Sequence, residues 1–61
     1  MSNLTAKELS FLKDQLGGEQ NLVKKYKMYA SQCTDPQLQT KCQQVAAQHQ
    51  GHYNTLLNQL N

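Results

Sequence analysis

The chain has 61 residues, a 38% hydrophobic share with no Trp, and a net charge of +2 from six Lys and four acids. That length allows one domain, 1–61, and a chain this small is marginal on its own. A metal or a second chain usually completes such a core. The charge balance argues against nucleic acid: there is no Arg, only Lys24, Lys25 and Lys27 cluster, and a nucleic-acid surface carries a stronger basic stripe. No apolar run approaches ~18 residues and no charged-then-apolar leader stands at the N-terminus, so no membrane partner and a soluble, cytoplasmic chain are expected.

A short N-terminal arm, 1–5, leads into Thr5-Ala6-Lys7-Glu8. This is a capping box: Thr5 caps the first free amides and Glu8 reaches back to the Thr5 amide. A helix therefore starts near Ala6. From there the apolar positions repeat at three and four residues: Leu9, Leu12, Leu16, Glu19, Val23, Tyr26, Ala30, Cys33. One member of that seam is a carboxylate. Gly17-Gly18 interrupts the composition, and each interior Gly costs roughly 0.5–1 kcal/mol against Ala. The seam nevertheless keeps its phase through the pair. The reading is one helix over about 6–33, kinked at most, with a break at Gly17-Gly18 as the alternative.

Asp35-Pro36 is the plainest punctuation in the chain. Asp is a preferred N-cap and Pro a preferred first helical residue. A second helix is expected over about 36–60, with the turn at 34–35. Its seam reads Leu38, Cys42, Val45, His49, His52, Leu56, Leu60, and two histidines interrupt it. The abundant Gln and Asn form its polar face. So short a connection makes the helices antiparallel neighbours. The fold class is all-α, an antiparallel helical hairpin.

With the turn centred between Thr34 and Asp35, positions whose numbers add to about 69 lie level. Glu19 then falls between His49 and His52, which share a helix face at i, i+3. One carboxylate and two imidazoles at one height suit Zn, Fe or Mn. The alternative is an ion pair between Glu19 and a protonated histidine. Tyr26 lies two turns along the face of Glu19. Its phenol is expected either to hydrogen-bond toward the site or to act as an amphipathic core residue. Tyr29 and Tyr53 flank the seam. Cys33 and Cys42 fall on seam positions, where free thiols act as small hydrophobes. They are offset by about 9 Å along the axis at ~1.5 Å per residue, against about 7 Å between Cα atoms for a disulfide. Reduced thiols are expected, with an interchain bridge as the alternative.

These stretches together resemble a family. LTAKELSFLKDQL, EQNLVKKYKMYASQ, TDPQLQ and AAQHQGHYNTLLNQL are similar to the small ferritin-like spore coat proteins of Gram-positive spore formers. The resemblance covers nearly the whole chain through motif order rather than any one specific motif. It implies half of a ferritin-like four-helix bundle, completed by a homodimer, with other spore coat proteins as partners and the spore coat as a location. On this resemblance Glu19 matches the first-helix Glu, Tyr26 the Tyr of Glu-x6-Tyr, and His52 the His of Glu-x-x-His. His49 departs from it, standing where the family has a bridging Glu. An imidazole neither bridges two metals nor neutralises them, so a single-metal, structural or vestigial site is implied.

Three functions follow as expectations. The first is a small structural or assembly protein with a degenerate metal site at Glu19, His49 and His52. The second is a Zn- or Fe-binding protein with a redox or storage role. The third is a helical adaptor that offers its seam to another protein. The sequence holds no nucleophile–base pair and no phosphate loop, so the balance is against an enzyme, with no catalytic residue assigned.

Overall fold

The structure, a computed structural model, describes residues 4–60. Residues 1–3 of the expected N-terminal arm and Asn61 lie outside the described residues. Two helices pack side by side: α1, Ala6–Gln32, and α2, Pro36–Leu57. A single 3-10 turn, Asn58–Leu60, follows α2. The hairpin measures 46 × 14 × 10 Å, an antiparallel all-α pair as its punctuation predicts.

The ends form for the reasons written in the sequence. Thr5 N–H donates to Glu8 Oε1 at 2.9 Å and Glu8 N–H donates to Thr5 Oγ1 at 3.1 Å. Asp35 Oδ1 accepts from the amides of Gln37 at 2.9 Å and Leu38 at 3.4 Å, with Pro36 opening the helix. α1 stops one residue earlier than expected, because Cys33 is extended and serves as its C-cap. α2 ends at Leu57 rather than 60, where its last turn tightens to i→i+3 bonding. Gly17-Gly18 does not break α1: neither residue has a positive φ, and the helix is continuous through both.

The first seam is covered along its whole length. Leu12, Val23 and Ala30 are buried, and Leu9, Leu16, Glu19, Tyr26 and Cys33 are half-buried. The second seam sits differently. The covered residues are Gln39, Cys42, Val45, Ala46, His49, Tyr53 and Leu56 of α2 and Leu60 of the 3-10 turn, while Leu38 and His52 are exposed. Ala46, only 3% exposed, is the most buried residue of the core. The apolar stripe of α2 is broader than one seam. Packing chose its edge with Ala46, whose small side chain lets the helices approach, and left Leu38 exposed. Gln39 fastens the turn end by donating from Nε2 to the Ala30 carbonyl at 3.1 Å. That pair adds to 69, the register the turn dictates.

The core itself is thin. Among the described residues its buried members are Leu12, Val23, Ala30, Cys42 and Ala46, and no large side chain is fully enclosed. Neither helix is long and apolar enough to cross a membrane, among the described residues.

Candidate metal centre

Each donor reaches the site by its place on a helix. Glu19 is the middle residue of α1, and it points from the covered stripe toward α2. His49 lies on the covered stripe of α2. His52 lies one helical turn further on, at that stripe's outer edge. The side-chain exposures record this order: 16% for Glu19, 22% for His49 and 60% for His52.

The carboxylate spans both rings. Glu19 Oε1 lies 2.6 Å from His49 Nδ1, and Glu19 Oε2 lies 3.4 Å from His52 Nδ1. Taken with one ligand atom from each residue, the donors all fall within 4.8 Å of one another. The sequence expectation that the turn brings these three residues to one height is met in position.

The two contacts differ chemically. A separation of 2.6 Å is that of a short, charge-assisted hydrogen bond, with Nδ1–H donating to the carboxylate. Two ligands of one tetrahedral ion at ~2.1 Å each stand about 3.4 Å apart. The Glu19–His52 spacing already has that value. At 2.6 Å the Glu19–His49 pair is closer than two ligands of one ion, so it would have to open for both to bind one metal. The donor set fits a four-coordinate ion that takes three protein ligands and one other. A single carboxylate and two neutral imidazoles leave a divalent ion with one net positive charge and no bridge to a second ion.

Aromatic rings hold His49 in place. Its imidazole stacks on Tyr26, with centroids 6.0 Å apart and planes at 20°. His52 meets it edge-on at 5.4 Å. Tyr29 meets Tyr26 edge-on at 5.6 Å. Tyr26 thus meets the cluster with its ring face rather than through a hydroxyl contact to the three donors. Tyr29 flanks the seam as expected, whereas Tyr53 belongs to it.

The cysteines lie toward the turn end, away from this cluster. Both are free, Cys42 buried and Cys33 half-buried. Burial pushes the Cys33 thiol up, helped by the charge and thiol hydrogen bond of Cys42 and by the Asp35 charge. Helical side chains lean toward their own N-terminus, which tilts Cys42 toward the turn and toward Cys33.

The sequence seam did not place Gln39, Ala46 and Tyr53 in the helix interface. The 3-4 spacing from Cys42 back to Gln39 and on to Ala46, His49 and Tyr53 was present, but the apolar character of Leu38 and Val45 outweighed it. No protein-family model, no curated protein and no solved structure matches this chain.

Proposed function

We propose that this chain is a small helical assembly protein whose Glu19–His49–His52 cluster holds one divalent transition-metal ion, Zn2+ or Fe2+, between its two helices. The observation that carries the reading is the convergence of three ligand atoms from two helices within 4.8 Å, in a seam that is otherwise mostly apolar. A lone carboxylate is costly to cover without a partner, and the histidines supply that partner with or without metal. The ion would cross-link α1 to α2 at mid-length and stabilise a hairpin whose core is thin. A role in an assembled layer such as a spore coat is implied by the resemblance to ferritin-like coat proteins. With His49 in place of a bridging carboxylate, the reading is a one-metal structural site rather than a two-metal oxidase.

Elemental analysis of the purified chain after zinc loading and dialysis tests this. One ion per chain is expected, and close to none in the His49→Ala/His52→Ala variant. Retention of the ion by the double variant, or none in the wild type, sinks the reading.

A further inference from the structure

The Glu19–His49–His52 cluster is open on one side. No fourth His, Cys, Asp or Glu joins the three donors among the described residues. A purely structural zinc site fills all four positions from the protein, whereas a site with three protein ligands keeps one for a ligand from outside. Exposure shows where that position faces. Glu19 and His49 are mostly covered and the His52 side chain is largely exposed, so the cluster meets solvent on the His52 side.

Gly18 stands on that side. Helical positions three, four and seven apart share a face, so Gly18 shares one with Gln15, and His52 shares one with Gln59. Gln15 and Gln59 border the same hollow, which puts Gly18 and His52 on one side of the hairpin. Gly17 lies on the other flank of Glu19: it shares a face with Gln20 and Lys24, which border a separate hollow with Gln50. Height agrees as well. The Gln39–Ala30 bond sets residues whose numbers add to 69 level with each other, so Gly18 is level with Gly51, the neighbour of His52. Gly18 is exposed, and a Cβ added to it would meet nothing within 4 Å. Beside the outermost donor, the chain therefore has a position with no side chain and open space in front of it.

Charge selects what enters. A divalent ion held by one carboxylate and two neutral imidazoles keeps one net positive charge, which a single negative charge cancels. The fixed charges near Gly18 on its own helix offset each other, Asp14 one turn before it and Lys25 two turns after, so the charge of the ion decides. Oxygen donors suit both zinc and iron. The geometry points to a small monoanion of the carboxylate type as the fourth ligand, entering beside His52 through the gap left by Gly18. This rests on the metal site proposed above and adds to it a position that exchanges its ligand.

Cobalt(II), which reports its coordination geometry through visible absorption, tests this on the full chain. After cobalt loading and dialysis, elemental analysis gives the ion content, and azide and acetate are titrated separately while the spectrum is recorded. One cobalt per chain is expected, with a saturable change in its visible bands for each anion. Gly18→Leu should keep the cobalt and weaken both responses by roughly tenfold or more. A leucine there leans toward the N-terminus of α1, over the level of His52. Gly18→Ala, whose added methyl meets no neighbour, is the second variant and should show a smaller loss in the same direction. Gly17→Leu, with the same gain in helix propensity, should leave both responses within about twofold of the wild type. Bound cobalt whose spectrum neither anion moves overturns the proposal and leaves the metal site standing. Responses that both Gly18 variants leave unchanged, or that Gly17→Leu weakens as much, overturn it too. Cobalt stripped from the chain during the titration counts against it, because the anion then displaces the protein donors instead of joining them. A wild type that takes up no cobalt defeats the metal site and this proposal together.

Discussion

At Glu8 a single side chain does two things, and its ionisation reports both. Its carboxylate accepts from the Thr5 amide, and the Thr5 hydroxyl caps the Glu8 amide in return. The Thr5 backbone bond first, and the Thr5 side chain second, hold its pKa below the ordinary 4.5. A carboxylate lowered in the folded state stabilises the fold fully above the unfolded value and loses that contribution as pH falls through the folded value. First-turn amides should therefore lose protection, relative to their intrinsic exchange rates, as pH drops below 4.5. An NMR titration of Glu8 checks this, and a midpoint at or above the ordinary value contradicts it. The same capping logic was legible from Thr5 and Glu8 in the sequence, because both partners lie within one helical turn. The Glu19–His49 contact was legible only as a shared height. Which oxygen meets which nitrogen depends on rotamers that spacing does not encode.

At the scale of the helices, glycine is the anomaly. Gly17, Gly18 and Gly51 sit inside helices without positive φ, and an added Cβ meets nothing within 4 Å at any of them. Conformational freedom is then a cost with no local return. Gly17→Ala and Gly51→Ala should each stabilise the hairpin by about 0.5–1 kcal/mol. For a domain this small each kcal/mol raises Tm by about 4–8 °C. Thermal melts of the two single variants measure it, and a lowered Tm in both would show that the glycines serve a contact absent from the isolated hairpin. The helices themselves were legible because their stop signals are local: Thr5, Asp35 and Pro36 act within a few residues. The rotation of α2 was not. Leu38, Val45, Ala46 and Tyr53 together form a stripe wider than one seam, and hydropathy alone favours the edge with the larger aliphatic residues. The hairpin interface took the edge with Ala46 and left Leu38 outside. What looked like one core stripe is divided: Ala46 and Tyr53 face α1, and Leu38 is left exposed.

For the molecule as a whole, the thin core sets how much a bound ion matters. A ligand that binds the folded chain alone adds RT ln(1 + [L]/Kd), about 2.7 kcal/mol at a free concentration of one hundred times Kd. With the same sensitivity of about 4–8 °C per kcal/mol, saturating zinc should raise Tm by about 10–20 °C. His52 separates this gain from the packing of the hairpin. Its side chain is 60% exposed, so His52→Ala removes a ligand with little loss of burial. In chelator, His52→Ala should melt within about 2–4 °C of the wild type, since exposed substitutions typically change stability by less than ~0.5 kcal/mol. In zinc, the two should separate by most of the gain. His49→Ala is the less informative variant, because His49 also stacks on Tyr26 and its loss weakens the hairpin in either condition. Circular dichroism melts of wild type and His52→Ala, with chelator and with zinc, give the four values required. Equal melting of the wild type with and without zinc would mean that Glu19, His49 and His52 form a proton-bridged clasp and nothing more. A zinc-dependent gap that His52→Ala closes would make the interruption of the two apolar seams a metal cross-link at the middle of the fold.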